Sequence, residues 1–381
     1  MKVTLFGGLD TGWGYSMQRY ADQLAAALRT QARPDDSFEL RYGPGPRLPA
    51  PLSRSQRLAA LVNEGLATHV LYPRMALGMQ GEINHVLDHS FGSLASVLPP
   101  ERTVVTCHDL IPLEVPSIHR TIYSHLTGRR WFVKCIEDMA RARRIIAISE
   151  HTKREVVKWA GYDPGRIIVI PHGVADHFRP PSEEVNLESV KRQLGLRSGC
   201  KYLLHVGSCQ PNKNLPALFK TFALVRRKVN YAVQLLRLGP PLTAGLERLV
   251  NQLGLQECIL RLEGLAVDEL ISVYHVADAL LYPSTYEGFG RPVLEAMACG
   301  LPVVASIAAA IPEVLGEGQL TFTPDDHEGM AEAVVQILQE PDLRATLIER
   351  GLRRAEAFSW EMVAQRTRAV YEELLEEGRV F

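Results

Sequence analysis

Residues 279–305 read ALLYPSTYEGFGRPVLEAMACGLPVVA: a short apolar run, a glycine-containing loop, an amphipathic segment and a second apolar run. The runs near 279–282 and 302–305 are β-rich and short, as buried strands are, and the segment between them is longer. Short apolar runs that alternate with amphipathic segments are typical of βαβ units, in which the strands are parallel. The stretch therefore predicts an α/β fold.

The loop in this stretch has the composition of an anion site. Pro292 suits the first turn of a helix, and Gly288 and Gly290 allow backbone N–H groups to approach a ligand closely. A helix N-terminus behind such a loop attracts a diphosphate, and the carboxylates of Glu287 and Glu295 are strong acceptors for sugar hydroxyls. The alternative is a plain strand–loop–helix connection with solvated glutamates. The Gly-Phe-Gly-Arg-Pro segment between the two glutamates favours binding.

The same alternation extends along the whole chain. One set of strands begins at Lys201–Val206, and an earlier set begins at residues 2–6, before a glycine-rich turn and a helix from about Tyr15 to Leu28. Each set predicts a Rossmann-like, doubly wound parallel sheet. Further strands are predicted at Thr68–Leu71, Val86–Leu87, Thr103–Thr106, Arg144–Ile148 and Ile167–Ile170, and near 231–237, 258–262, 279–282 and 302–305.

The chain length predicts two domains. A chain of 381 residues is too long for one core of ordinary size. Pro180-Pro181 and the mixed polar residues around it indicate a linker, and the end of the chain reads as one long amphipathic helix with the option of crossing back to the first domain. The predicted division is 1–177, a linker at 178–200, 201–358, and a C-terminal helix within 359–381.

Composition narrows the class of protein. The net charge of -1 gives no overall field for nucleic acid, so no nucleic-acid partner is expected. The six cysteines form no C-x-x-C pair and predict reduced thiols. The chain starts directly with a strand, and no apolar run approaches about 20 residues, so a cytoplasmic protein is expected.

Two further residues follow predicted strands at the edge where open α/β sheets bind ligands. Lys213 lies between the strand Lys201–Val206 and a helix that opens near Leu215, where a cation can neutralise a departing diphosphate. A solvated lysine is disfavoured there, because a helix N-terminus repels cations. His108 follows the strand Thr103–Thr106; the alternative to a site role is a hydrogen bond to Asp109 or to a neighbouring loop.

The sequence predicts neither a dinucleotide cofactor nor a metal. The glycine-rich turn at 7–14 does not fit G-x-G-x-x-G, and no acidic residue follows a second strand at the required distance. No Asp-x-Asp triplet, of the kind that holds a divalent metal for a nucleotide sugar, occurs in the sequence. Positive charge from Lys213 and from helix N-termini is expected to replace a metal ion.

Several motifs, in their order and spacing, resemble family 4 of the retaining glycosyltransferases, which have the GT-B fold of two Rossmann-like domains facing across a cleft. The resemblance extends over nearly the whole chain. The motifs are Tyr286–Glu295 with its continuation through 304, Thr106–Pro112, Ile148–Lys153, Ile170–Val174, and His205–Ser208 with Pro211–Asn214.

The resemblance implies roles for these residues. Glu287 would contact hydroxyls of the transferred sugar, Glu295 the ribose of the nucleotide, and His108 the donor sugar. Two positions depart from the family pattern, since Asn212 stands where an arginine is usual and Arg291 where a leucine is commoner. The remaining expected donor-binding residues are Gly12, Gly14, Ser208, Lys213, Leu265, Gly288, Phe289 and Gly290.

The implied reaction is metal-independent transfer of a hexose from a UDP- or GDP-linked donor to a glycan or lipid-linked acceptor, with retention of the anomeric configuration. Glu287 is implied to bind sugar, so an internal-return route fits better than double displacement. The alternatives are a phosphorylase or epimerase of the same fold, and a non-catalytic nucleotide-sugar-binding subunit, which the departures at Asn212 and Arg291 would support.

Residues 119–144 are basic and contain Trp131, Phe132 and Ile136. A basic helix with aromatic residues suits peripheral contact with anionic lipid at the inner membrane face. The other interpretation, which Glu137 and Asp138 favour, is a helix whose apolar stripe faces its own core.

Overall fold

A computed structural model of the protein describes residues 1–9, 15–44, 67–115, 118, 126–317 and 319–378. The chain divides into two compact units, each built on a six-stranded sheet. Unit 1 consists of Met1–Glu114, Ile122–Gly173 and Ser359–Phe381, and unit 2 of Val115–Thr121 and Val174–Phe358.

Unit 1 contains a parallel sheet in the strand order β2-β1-β3-β4-β5-β6. The strands are β1 Lys2–Leu9, β2 Ser37–Gly43, β3 Ile83–Val86, β4 Thr103–Cys107, β5 Arg144–Ala147 and β6 Ile167–Val169. The α-helices are α1 Tyr15–Thr30, α2 Tyr72–Gly78, α3 Ile111–Glu114, α4 Leu126–Met139, α5 Glu150–Ala160 and, from the end of the chain, α14 Trp360–Glu377.

Unit 2 repeats the plan in the order β12-β11-β10-β7-β8-β9, again with every pair parallel. The strands are β7 Lys201–Val206, β8 Val233–Leu238, β9 Ile259–Leu262, β10 Ala279–Tyr282, β11 Val303–Ser306 and β12 Leu320–Phe322. The helices are α6 Leu187–Gln193, α7 Leu215–Lys228, α8 Ala244–Gln252, α9 Val267–Val276, α10 Arg291–Ala298, α11 Ile311–Leu315, α12 His327–Gln339 and α13 Pro341–Ala355.

The elements form where local chemistry specifies them. Central strands are apolar at consecutive positions because helices cover both faces of a parallel sheet; Leu5 and Phe6 of β1 are both fully buried. Helix α5 shows both end signals. The Ser149 side chain accepts from the Thr152 amide at its start, and Gly161 ends the helix at a φ of 59°.

Strand order determines where ligands can bind. In open α/β sheets the crevice lies at the carboxyl ends of the two strands between which the winding direction reverses. In unit 1 these strands are β1 and β3, and in unit 2 they are β7 and β10. Leu203 and Leu204 of β7 pair with Ala279 and Leu280 of β10, so the loops after these two strands emerge side by side.

The predicted fold class is confirmed, with corrections to single elements. The strand predicted at Thr68–Leu71 is wrong: these residues lie in a π-helical turn, Ala67–Leu71, that leads into α2. A short apolar run does not distinguish a strand from helix, and Pro73 suits a helix start. Strands β2 and β12 were not predicted. Both are edge strands, and their exposed or short sequences lack the apolar signal.

The segment 178–200, predicted as a linker, lies within unit 2 and contains α6. The predicted C-terminal helix is α14, which packs within unit 1 against α1. Leu24 and Leu28 of α1 share one buried core with Tyr371 and Leu374 of α14.

Candidate functional site

The loops after β7 and β10 are joined by hydrogen bonds from two asparagines. The buried Asn212 donates through Nδ2 to the Tyr286 backbone carbonyl at 2.9 Å. The backbone carbonyl of Asn212 accepts from the Thr285 amide at 2.8 Å. Asn214 adopts a φ of 50°, which turns the chain into α7, and its Nδ2 donates to the Pro283 carbonyl at 3.1 Å. These bonds hold Lys213, between the two asparagines, against the second loop.

Lys213, Glu287 and Tyr282 form a closed cluster at the switch point of unit 2. The Lys213 Nζ donates to Glu287 Oε1 at 2.7 Å and Oε2 at 2.9 Å. It also lies 3.1 Å from the Tyr282 hydroxyl, which donates to Glu287 Oε1 at 2.9 Å. An ionised carboxylate has about four lone-pair sites. Glu287 therefore retains capacity to accept from a ligand hydroxyl.

The cluster keeps Lys213 charged although its side chain is largely buried. Burial alone would lower the pKa of Lys213, but the Glu287 carboxylate and the Tyr282 hydroxyl outweigh it and raise that pKa above its ordinary value. Burial, followed by the charge of Glu287, raises the pKa of Tyr282. Lys213 is therefore a charged ammonium and Tyr282 a neutral hydroxyl at neutral pH.

Glu295 lies on α10 behind the second loop. Gly290 begins this helix at a φ of 102°, a conformation that a side chain would strain. The Tyr274 hydroxyl donates to Glu295 Oε2 at 2.8 Å, and Arg291 Nη2 lies 3.7 Å from Glu295 Oε1. The carboxylate is held in one orientation, which suits it to accept paired hydroxyls.

The other predicted donor-binding residues lie in three loops of unit 2. Ser208 follows β7, and its Oγ accepts from the Gln210 amide at 3.3 Å. Leu265 is half-buried in the loop between β9 and α9. Gly288 and Phe289 lie in the loop before α10, where the buried Phe289 ring packs edge-on against Phe358, with centroids 5.8 Å apart.

Gly12 and Gly14, predicted to approach the donor, lie outside the described residues. Their predicted role stays a prediction.

In unit 1, His108 is buried after β4, and its ring has a partner at each nitrogen. Nε2 lies 2.7 Å from the Leu87 carbonyl, which can only accept, so Nε2 is the protonated nitrogen. In the neutral ring Nδ1 then accepts from His172 Nε2 at 3.1 Å. The Asp109 carboxylate accepts instead from the Ile111 amide at 3.1 Å. The two ring nitrogens of His108 thus face His172 and Leu87, and its predicted contact with a donor sugar stays a prediction.

Sequence reasoning did not identify Tyr282, Tyr274 or His172 as parts of these sites. Tyr282 ends a strand directly before the glycine loop, which is a usable signal. His172 lies in the motif Ile170–Val174, so its position was marked although its partner was not. No local signal pairs Tyr274 with Glu295, since the two lie on different helices.

Helix α4 bears on the predicted membrane contact. Its Phe132 and Ile136 are buried in the core of unit 1, and Lys134 pairs with Asp138 at 2.6 Å. These contacts are those of a helix whose apolar stripe faces its own core. Among the helices in the described ranges, none combines the length and apolarity that a membrane span requires. Those ranges also contain no group of three or more His, Cys, Asp or Glu side chains arranged to hold a metal.

Comparison with known proteins places most of the chain in two family models. Residues 17–178 match the model described as Glycosyltransferase Family 4, and residues 187–354 match Glycosyl transferases group 1. The O-antigen chain mannosyltransferase B of Escherichia coli is 31% identical over 278 residues, which cover 71% of this chain and 70% of that protein.

A second relative and one solved structure extend the comparison. The serotype-specific mannosyltransferase WbdA of Escherichia coli is 27% identical over 271 residues, covering 70% of this chain and 32% of WbdA, so the chain spans about a third of that relative. The structure of Anabaena HepE in complex with UDP and glucose matches with a TM-score of 0.72 at 18% identity, over 98% of this chain and 100% of HepE. At that identity the likeness concerns the fold.

Proposed function

Since the chain belongs to family 4 of the glycosyltransferases and has the GT-B fold, we propose that it transfers a hexose from a nucleotide diphosphate sugar to a glycan or lipid-linked saccharide in polysaccharide biosynthesis. Mannose is the first candidate sugar, because the relatives quoted above are mannosyltransferases. The nucleotide is UDP or GDP. HepE, which shares the fold, was solved with UDP and glucose.

The cluster of Lys213, Glu287 and Tyr282 supports this proposal most directly. It places an ammonium and a carboxylate within 2.7 Å of each other at the switch point of unit 2. The ammonium suits the diphosphate of a nucleotide sugar, and the carboxylate suits the hydroxyls of the sugar beside it. We assign donor binding to unit 2 and acceptor binding to unit 1.

The proposed step follows from these groups. The bond between the sugar C1 and the diphosphate oxygen breaks, and the acceptor oxygen bonds to C1 on the same face. The acceptor proton passes to the departing diphosphate, whose charge Lys213 stabilises. Glu287 is committed to Lys213 and Tyr282 and acts as a sugar ligand, so the route is internal return with retention. Charge from the protein takes the place of a metal ion.

A thermal-shift panel tests donor binding. UDP, GDP, ADP and TDP are compared, each with Mg²⁺ and with EDTA, on the wild type and on Glu295→Ala. One diphosphate is expected to raise Tm equally with Mg²⁺ and EDTA, and the shift is expected to disappear in Glu295→Ala. Glu313→Ala, a change on α11 of the same unit, is the matched control and should keep the shift.

Turnover is then measured with the matching nucleotide sugar and a panel of saccharide acceptors, and NMR of the product reports the anomeric configuration. An inverted product, or a glycosyl adduct trapped on a side chain, would exclude internal return. Binding without turnover on every acceptor would favour a non-catalytic subunit. Phosphate-dependent cleavage or epimer formation would favour the other enzymes of this fold.

A further inference from the structure

Arg237 is a buried cation that the reaction proposed above does not use. It lies near the carboxyl end of β8, the strand beside β7, and its side chain is fully buried. Burying a charge is costly unless an opposite charge or hydrogen bonds compensate it. The location, one strand from the switch point of unit 2, therefore calls for a physical explanation.

The guanidinium is compensated by neutral groups of two loops. Nη1 donates to the Gly239 carbonyl at 3.0 Å and to the Pro240 carbonyl, and Nη2 faces the Gly207 carbonyl at 3.4 Å and Cys209 Sγ at 3.2 Å. Within the described part of the chain no carboxylate forms an ion pair with it. Burial lowers the pKa of Arg237 from its ordinary value, and the opposing effects of Cys209 and of the Glu263 charge do not outweigh it.

The neighbouring strand provides a contrast. Arg261 of β9 is the register partner of Arg237, yet its Nη2 lies 2.7 Å from Glu247 Oε2, and its side chain is 39% exposed. Two arginines at the same level of the sheet thus differ in whether a carboxylate pairs with them. Arg261 forms an ion pair with a carboxylate, whereas Arg237 forms none within the described part of the chain.

Arg237 also orients the loop after β7. The Gly207 carbonyl faces the guanidinium, and in a trans peptide the next amide, that of Ser208, points the opposite way. In the described ranges, neither the Ser208 amide nor the Cys209 amide donates to a protein acceptor. Successive unpaired amides beside a cation form an anion-binding concavity. Lys213 lies next to this loop, since a Cβ on Gly207 would meet its Cδ at 3.3 Å.

The close approach of the two loops requires glycine. A Cβ on Gly239 would lie 2.0 Å from the Gly207 carbonyl oxygen, and Gly239 has a φ of 151°. The Gly207 carbonyl is therefore fixed between Gly239 and Arg237. The peptide orientation that exposes the Ser208 amide is built into the fold before any ligand binds.

We propose that Arg237 is a positioning residue of a diphosphate subsite formed by the Ser208 and Cys209 amides together with Lys213. The inference rests on the proposed function, since the anion is the diphosphate of the nucleotide sugar. Arg237 acts through the loop, by holding the Gly207 carbonyl inward.

Affinity for a series of nucleotides tests the proposal. Isothermal titration is carried out with UDP and GDP, their monophosphates and their nucleosides, on the wild type, Arg237→Met, Arg237→Lys and the control Arg261→Met. For the base that binds, Arg237→Met should lower the affinity for the diphosphate about tenfold or more, and the affinity for the nucleoside less than about twofold. Arg237→Lys keeps the charge and loses the planar guanidinium. Its affinity for the diphosphate should lie between those of the wild type and Arg237→Met. Arg261→Met should match the wild type.

The outcomes separate the two proposals. Equal weakening of diphosphate and nucleoside in Arg237→Met would make Arg237 a structural clamp only, and unchanged affinities would exclude any role; either result overturns this inference. If Arg237→Met does not fold, Arg237→Lys decides in the same way. If the wild type binds no nucleoside diphosphate, the proposed function fails instead.

Discussion

The carboxyl edges of the two sheets carry opposite kinds of chemistry on similar backbones. In unit 1, His108 Nδ1 lies 3.1 Å from His172 Nε2, and His108 Nε2 lies 2.7 Å from the Leu87 carbonyl. In unit 2, Lys213 and Glu287 form an ion pair, and a second cation, Arg237, lies under the neighbouring loop. The fold supplies an edge where loops meet, and the residues of these loops decide whether it attracts an anion. Among the residues that the structure describes, the cations Lys213 and Arg237 lie at the edge of unit 2.

Lys213→Met is the substitution expected to have the largest effect on activity. It removes the cation of the unit 2 cluster and leaves Glu287 a buried carboxylate with Tyr282 as its remaining partner in the described cluster. We expect kcat to fall by about a hundredfold to a thousandfold, the range for losing one group that stabilises transition-state charge. Initial rates with the matching nucleotide sugar give the value.

Lys228→Met is the control, because Lys228 is a lysine of the same unit that pairs with Glu332 at 2.7 Å on the surface. Its activity should equal that of the wild type. A loss in Lys213→Met no greater than the loss in Lys228→Met would remove the catalytic role assigned to the cluster.

Acid stability compares one fully buried histidine from each unit, His85 in unit 1 and His205 in unit 2. Burial lowers the pKa of His85 in unit 1 and of His205 in unit 2 from 6.5 to about 3. The unfolded chain binds these protons below about pH 6.5 and the folded chain does not, so stability is lost as pH falls from 6.5 towards 3. Each histidine should contribute a loss of about 1.4 kcal/mol per pH unit in that window.

Urea unfolding between pH 7 and 4.5, followed for each unit, measures these slopes. His205→Gln should reduce the slope for unit 2 by one proton and leave that of unit 1 unchanged, and His85→Gln should do the reverse. Slopes unaffected by either change would mean that neither ring is kept neutral by burial.

The smallest expected effects come from substitutions at two buried tyrosines, Tyr274 and Tyr371. Tyr274→Phe removes the hydrogen bond to Glu295 in unit 2, and Tyr371→Phe removes the 2.5 Å bond to His85 in unit 1. Both should cost about 1 kcal/mol of stability, but only Tyr274→Phe should also weaken the nucleoside diphosphate, by about fivefold. Isothermal titration of both variants with the nucleoside diphosphate measures this difference in affinity. Equal affinities would mean that Tyr274 has no part in orienting Glu295.

Much of the fold was predictable from local patterns. The strands Lys201–Val206 and 279–282 and the helix near 360–377 were predicted with the bounds that the structure shows. The turn at Ala67–Leu71 was not, because a short apolar run gives the same signal in a strand and in a buried helix. Edge strands such as β2 were missed, since their alternating exposure removes the continuous apolar run of a central strand.

The sequence by itself determined the α/β class, because strand and helix periodicity act over a few neighbouring residues, and it predicted an anion-binding loop at Tyr286–Glu295. Only the tertiary structure decided the partners. Lys213 meets Glu287, and Arg237 meets Gly207, because β7, β8 and β10 are neighbours in the sheet although they lie far apart in the chain. Contacts between such loops depend on strand order, and strand order is a property of the whole folded unit.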